Sequence, residues 1–324
     1  MPKPKIELHV HLEGTVRPAL LADIAVGNGM APPAPSPGRF ADLHDFIVTW
    51  NATTGCLRTP TDYRIALLAY AEEAAGHGAV HIEPIVDAEP RLGLDGWADV
   101  LAACVDAAAE ARERYGVSVG LTPQVFRGQD VGYAEEAARI AVRFAGRGVV
   151  GFGLSGAEGR HPTLPYARAV ALARDGGLPF VPHAGEAAGP EAVREVLAMG
   201  AARIRHGVRA VDDPDLVTEL VERGIVLDVC PTSNLRLRVA DPGRPHPLTL
   251  LHHAGVRCSV STDDPALFDI TLSDEYAVAA GLGVDAASAY AAGLAGMLGT
   301  DTDRARLVRI GRAAFGGIDV GPAS

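Results

Sequence analysis

Ile6-Glu7-Leu8-His9-Val10-His11-Leu12-Glu13-Gly14-Thr15 is an alternating apolar and polar run near the start of the chain. Such alternation predicts an extended strand, in which His9 and His11 share one face while Leu8, Val10 and Leu12 point to the other. Gly14 predicts the end of that strand, so the two imidazoles stand together at a loop mouth where a ligand can enter. Two neutral imidazoles on one face are half of a metal site. Read alone, the pair also fits two ordinary polar positions on an edge strand, so its meaning depends on the rest of the chain.

Seven further short runs rich in β-branched residues follow, at 79–85, 117–122, 149–154, 178–183, 203–206, 225–229 and 256–262, after the first at 5–11. Each is followed by an Ala/Glu/Arg-rich stretch with helical spacing, as parallel strands joined by helices require. Helices are expected at 17–27, 61–76, 96–115, 132–146, 163–175, 189–199, 212–223 and 247–254. Beyond the first interval the strand starts lie about 25 to 40 residues apart, the length of a βα unit, and eight such units suit a closed barrel. The expectation is an α/β protein: one (β/α)8 TIM barrel spanning 1–324 as a single domain, with extra helices after strand 1 and at the C-terminus. The first connection is long and holds Ala31-Pro32-Pro33-Ala34-Pro35-Ser36-Pro37-Gly38, then Phe40, Phe46 and Trp50. It reads as a surface loop, with a lid over the barrel mouth as the functional alternative. Residues 272–315 read as helical and as covering the barrel.

Composition removes several classes of function. The formal charge of −11 and the absence of a basic stripe argue against nucleic acid as a partner. Cys56, Cys104, Cys230 and Cys258 are far apart, without Cys-x-x-Cys, which indicates neither a disulfide framework nor a thiolate zinc site. No signal-like or membrane-spanning apolar run is present, so a cytoplasmic protein is expected, with no membrane partner. Oligomeric state is not legible.

In a parallel barrel, polar residues at the carboxyl ends of the strands face one mouth. His9 and His11 end strand 1, and His183 ends strand 5 in Pro182-His183-Ala184-Gly185-Glu186. His206 ends strand 6, and Asp263 and Asp264 end strand 8 in Ser261-Thr262-Asp263-Asp264-Pro265. Singly, each has an ordinary explanation: Asp264 before Pro265 fits a helix cap, Glu186 a first-turn charge, and His183 or His206 a hydrogen-bonded loop histidine. Their joint occurrence at the strand ends points to a metal site. Imidazoles with a carboxylate suit zinc better than magnesium or calcium, and zinc brings the pKa of a bound water towards neutrality. His44, His77, His161, His246, His252 and His253 lack such placement and read as structural or solvated; His81 and Glu83 are ambiguous.

With these residues in place, the chain resembles the adenosine deaminase family of metal-dependent amidohydrolases over nearly its whole length. His9-Val10-His11-Leu12-Glu13-Gly14, His183-Ala184-Gly185-Glu186, Arg205-His206-Gly207, Cys230-Pro231-Thr232-Ser233-Asn234 and Ser261-Thr262-Asp263-Asp264-Pro265 match the family's motifs in order and spacing. The resemblance implies that His9, His11, His183 and Asp263 bind one Zn2+. It further implies that Glu186 protonates the purine ring, His206 orients the attacking water, Asp264 holds the ring, and Gly156 contacts the purine through its backbone. The implied substrate is a small 6-aminopurine nucleoside, converted to the 6-oxo product with release of ammonia.

Related two-metal amidohydrolases and phosphotriesterases usually bridge their metals with a carboxylated lysine on strand 4, and this chain has no lysine after Lys5. Zinc deaminases of the cytosine type use Pro-Cys-x-x-Cys, whereas here Cys230-Pro231 leads into Thr232-Ser233. A catalytically inactive nucleoside-binding member of the family is the remaining alternative class. For the substrate, Glu13 stands where animal-type adenosine deaminases have a ribose-contacting Asp, and Ile82-Glu83-Pro84-Ile85 lacks their following Arg, which is read as leaving room beyond C5′. Together with an actinobacterial-looking composition, these departures resemble the branch that deaminates 6-aminodeoxyfutalosine in menaquinone biosynthesis. Adenosine or 2′-deoxyadenosine comes second and adenine third.

Overall fold

The computed structural model describes residues 2–41 and 43–317, the side chains of Leu43 and His44 excepted. The single domain expected over 1–324 thus includes Met1, Asp42 and 318–324, which lie outside the described residues, as does the side chain of His44.

The strands are β1 Lys5–His11, β2 Ala79–Asp87, β3 Ser118–Val119, β4 Thr122–Phe126, β5 Gly153–Ser155, β6 His183–Ala184, β7 Ile204–His206, β8 Val226–Val229 and β9 Arg257–Val260. β3 and β4 both pair with β2 and form two pieces of one barrel strand. The parallel ladders run β1-β2-β4-β5 and β6-β7-β8-β9. Two seams close them into the expected eight-stranded barrel. Phe180 bridges Phe152 on one side and Ala201 on the other, and Val10 bridges Asp263 beyond the end of β9. At the second seam the His11 N–H donates to Asp263 O at 2.8 Å and the Asp263 N–H to His9 O at 3.1 Å. The fifth strand, expected over 178–183, keeps regular pairing only at His183–Ala184, because Pro179 and Pro182 lack the N–H that a ladder needs.

The connecting helices form where the caps place them. Thr59 makes a capping box with Asp62 for Pro60–Gly76, and Asp213 caps Pro214–Glu222. Among the described residues, no single helix is long and apolar enough to cross a membrane. The aromatic segment after strand 1 departs from the loop reading: it forms a helix, Leu43–Thr54. Phe40 and Phe46 fasten that region to Leu237, Leu267, Phe268 and Ile270 from the loops after β8 and β9, with Phe46 stacked on Phe268 at 5.4 Å between ring centroids. Arg236 donates to the carbonyls of Gly38 and Phe268, tying the same segments together. The helix therefore lies over the carboxyl ends of the strands, as the lid alternative requires.

The C-terminal region breaks into three helices, Leu272–Gly281, Ala286–Gly296 and Asp301–Phe315. The second and third supply Tyr290, Leu294 and Leu307, which with Met297 pack against Ile6 and Leu8 at the amino-terminal end of the barrel. There the buried Arg203 donates to Glu83 at 2.7 Å, Asp228 at 2.6 Å, Leu8 O at 3.1 Å and Gly296 O at 2.6 Å. Glu83 also accepts the Leu298 N–H at 2.5 Å and lies 3.2 Å from His81. Removing one partner from such a buried network strands a charge, at about 3–5 kcal/mol. His81 and Glu83 thus belong to the barrel floor. Neither Glu83 nor Pro84 lines the cavity described below.

Candidate active site

A bulge in β1 aims the two histidines. The register between β1 and β2 shifts between Glu7 and Val10, and the N–H groups of Leu8 and His9 both donate to Ser261 Oγ, at 3.1 Å each. Strict alternation therefore fails at Leu8, which joins Ile6 on the floor while Val10 and Leu12 enter the main core. His9 and His11 keep the shared interior face read from their spacing.

Four ligand atoms converge above this point. His9 Nε2 lies 3.1 Å from His183 Nε2 and 3.2 Å from Asp263 Oδ1. His11 Nε2 lies 3.3 Å from His183 Nε2 and 3.6 Å from Asp263 Oδ1. Bonds of ~2.0–2.1 Å to a tetrahedral ion put neighbouring ligand atoms about 3.3–3.4 Å apart, close to the His9–His183, His9–Asp263 and His11–His183 separations, with His11–Asp263 wider. His206 reaches the same cluster: ligand atoms of His9, His183, His206 and Asp263 all lie within 4.8 Å of one another, and so do those of His11, Asp263 and Asp264.

The electrostatics fit a cation. Burial pulls the His9 pKa down to about 3, although Asp263 opposes it, and burial with the neighbouring His9 drives His183 well below its ordinary value. Both are neutral imidazoles, as metal ligation requires. Burial also opposes a proton on His11, but Asp264, Asp87 and Asp263 outweigh it and hold the pKa up at about 10. A surplus of carboxylates thus demands positive charge at this point, and the donor atoms can hold a metal ion that supplies it.

Supporting residues fix the ligands. Asp263 and His206 both have left-handed backbones, at φ 66° and 61°, a conformation that surrounding contacts must impose on a non-glycine residue. Ser233 Oγ donates to Asp263 Oδ2 at 2.8 Å. Next to Asp263, Thr262 donates its N–H at 3.1 Å and its hydroxyl at 2.6 Å to the buried Glu7, which also accepts from Tyr70. Behind His11, Asp87 Oδ2 lies 3.5 Å from Nδ1, and the Gln124 amide donates to Asp87 Oδ1 at 2.6 Å.

A cavity of about 340 Å³ opens above the cluster, with His11, His183, His206 and Asp263 at its base. Glu186, Asp264 and Gly156 form its walls, and Phe46, Ile47, Trp50 and Asn51 of the covering helix its roof. Glu186 Oε2 lies 3.5 Å from His206 Nε2. Burial raises the Glu186 carboxyl to about 7, His206 pulls it back, and the charge of Asp263 adds to the rise. Asp264 is raised well above the usual carboxylate range, by burial first, and its Oδ1 accepts the Trp50 indole N–H at 3.1 Å. Gly14 makes room for that carboxylate: a Cβ there would fall 1.9 Å from Asp264 Oδ1.

Glu13 departs from expectation. Residues Leu12–Thr15 coil into a 3-10 turn, which buries Glu13 completely and turns its Oε1 to accept the Asp87 N–H at 3.1 Å. It is absent from the lining of the cavity, so the structure does not bring it to a position for touching a sugar. His246 fulfils its structural reading by accepting the Leu248 N–H at 3.0 Å as a helix cap. Sequence reading missed Asp87, Ser233 and Glu158 and left Trp50 without a role. Asp87 ends its strand as the other site residues do and was findable on that rule. Ser233 and Glu158 lie three or more residues past strand ends, where no such rule applies.

Comparison with known proteins gives this geometry a family. Residues 4–291 match the adenosine deaminase family model. The aminodeoxyfutalosine deaminase of Acidothermus cellulolyticus is 45% identical, across 96% of this chain and 91% of its own. An adenine deaminase of Rhizobium johnstonii is 39% identical, across 86% of this chain and 88% of its own. Among solved structures, the adenine deaminase of Arthrobacter aurescens superposes with a TM-score of 0.88 at 29% identity, covering 96% of this chain and 98% of its own. The chain therefore belongs to the adenosine deaminase family of the amidohydrolase superfamily, hydrolases that remove an amino group by cleaving a carbon–nitrogen bond.

Proposed function

We propose that this deaminase, built as one domain, uses one zinc ion to remove the 6-amino group of a purine nucleoside, with 6-aminodeoxyfutalosine preferred over adenosine, 2′-deoxyadenosine and adenine. The observation that carries the reading is the convergence of three imidazole Nε2 atoms and Asp263 Oδ1 beneath a cavity walled by Glu186 and Asp264. His9, His11, His183 and Asp263 are the ligands in this reading, and their nitrogen-rich set favours zinc over harder cations. When bound, zinc supplies Lewis-acid activation of the water that attacks C6.

The chain's own groups do the rest. His206, at the base of the cavity and 3.5 Å from Glu186, orients the attacking water towards C6. Attack moves electron density onto N1 of the ring, and Glu186, whose carboxyl keeps its proton up to about pH 7, donates that proton to N1. Asp264, whose carboxyl burial raises well above the usual carboxylate range, holds the ring at its N7 edge while its Oδ1 accepts the Trp50 indole N–H. Gly156 offers its backbone to the purine; its φ of 91° and a space where a Cβ would meet Arg127 N at 2.9 Å both call for glycine. His206 takes one proton of the water and passes it to the leaving amino group, the new C6 hydroxyl returns the other to Glu186, and ammonia departs to leave the 6-oxo product protonated at N1.

The substrate preference rests on the 45% identical relative and on the cavity. Phe46, Trp50, Phe126 and Leu237 extend apolar surface beyond the polar base, which suits a nucleoside with an added group better than a bare base. Initial rates with 6-aminodeoxyfutalosine, adenosine, 2′-deoxyadenosine and adenine test it directly. The reading predicts the highest kcat/KM for 6-aminodeoxyfutalosine, and a clear preference for adenosine or adenine refutes that part of it.

A further inference from the structure

The loop carrying Glu186 is organised around a carboxylate from the loop that follows β5. Four consecutive backbone N–H groups, of Gly185, Glu186, Ala187 and Ala188, donate to Glu158 at 2.7, 2.9, 2.8 and 3.2 Å. Converging amides repel one another unless an anion occupies their focus, so the loop holds this shape only with a negative charge at that point. Gly185, at φ 66°, provides the left-handed step that turns the first amide inward.

Two observations separate this contact from ordinary surface chemistry. Arg127 attracts Glu158 electrostatically, but the direct hydrogen-bond partners of its two oxygens are the four amides. The contact is also distinct from capping of the following helix. Pro190–Ala198 begins only after Gly189, whose N–H goes to Glu191 at 3.1 Å. Glu158 itself follows Gly156 by two residues and lines the same cavity as Glu186.

We infer that Glu158 is a positioning residue for the deamination: by gathering the 185–188 amides it fixes the backbone from which Glu186 reaches N1, and couples that loop to the Gly156 segment that faces the purine. The inference rests on the reading of Glu186 as the acid. Misplacement of an acid by about 1 Å costs on the order of 100-fold in rate while leaving substrate contacts elsewhere intact, so the effect falls on kcat rather than KM.

The experiment uses full-length, zinc-loaded Glu158→Ala, Glu158→Gln and Glu186→Gln, each assayed for kcat, KM and metal content, with and without added formate. In Glu158→Ala, kcat is expected to fall about 100-fold with KM changed by less than about threefold and zinc retained. Formate, a carboxylate small enough for the vacated focus, is expected to restore at least about tenfold of that loss, as a charge-assisted contact of this kind would. Glu158→Gln keeps the side-chain volume but turns an N–H towards the amides, and is expected to lose kcat without formate rescue. If Glu158→Ala fails to fold, Glu158→Gln decides: loss of kcat at constant KM supports the inference. A kcat within about threefold of the unaltered protein in either folded variant overturns it, as does a loss in Glu158→Ala that formate leaves unchanged. Full turnover in Glu186→Gln instead removes the acid assignment itself, whereas an inactive Glu186→Gln beside an active Glu158→Ala removes only the positioning role.

Discussion

Ser233 Oγ donates a 2.8 Å hydrogen bond to Asp263 Oδ2, which leaves Oδ1 facing His9 and His11. One carboxylate oxygen is thereby reserved for the hydroxyl and the other for the metal position. Ser233→Ala removes the orienting bond without changing any ligand. Loss of such a partner typically weakens metal affinity by about 10–100-fold. A competition titration with a zinc chelator should show that weakening, while kcat at saturating zinc stays close to normal.

Gly14 is required for space, since its added Cβ would meet Asp264 at its Oδ1, Cγ and Cβ atoms. Gly14→Ala must push that carboxylate out of the cavity wall. The expected result is a fall of about 100-fold in kcat/KM with zinc content unchanged. Steady-state kinetics beside metal analysis checks both halves of the statement.

Trp50 ties the covering helix to the ring-binding wall through its indole N–H and packs edge-on to Phe126 at 6.2 Å and to His11 at 6.3 Å. Trp50→Phe keeps an aromatic ring but deletes the donor. Hydrogen bonds to groups of this kind contribute about 1–2 kcal/mol, so KM should rise about tenfold with a smaller change in kcat. An unchanged KM would show that the indole N–H does not organise Asp264 for binding.

Behind Asp263, Glu275 accepts the Thr232 N–H at 2.8 Å and also the Thr232 hydroxyl. Burial outweighs these bonds and raises its carboxyl from 4.5 to about 8, the charge of Asp263 adding to the rise. The folded protein therefore keeps a proton that the unfolded chain loses above about pH 4.5. The stability from this group is complete below that pH and declines as pH rises towards about 8. Glu275→Gln cannot titrate, so thermal melts should show a shallower fall in Tm between pH 5 and pH 8 than in the unaltered protein, where these limits are rough brackets of the shift. Parallel curves for the two proteins would contradict the assignment.

The barrel and most of its site were legible because strand ends in a parallel barrel gather distant residues at one mouth. His9, His11, His183, His206, Asp263 and Asp264 all lie where that rule puts them. What escaped depends on local backbone geometry. The bulge at Leu8 and His9 needs the hydroxyl of Ser261, from the far end of the chain, to accept both amides. The 3-10 turn that withdraws Glu13 follows from its bond to the Asp87 N–H across the next strand, which no periodicity in 12–15 reports. Helix Leu43–Thr54 was obscured because its aromatic residues pack on Phe268 and Leu237, contacts that exist only after the barrel closes. Prolines shortened the fifth strand but left His183 in place, because its position is set by pairing with Arg205 on β7.

The most direct test is ammonia release from 6-aminodeoxyfutalosine by chelated protein titrated with zinc. The account predicts no release without metal and a rise to a plateau at one zinc per chain. Turnover by metal-free protein, a plateau that needs two ions, or no ammonia from this or any other 6-aminopurine at full zinc loading would contradict it.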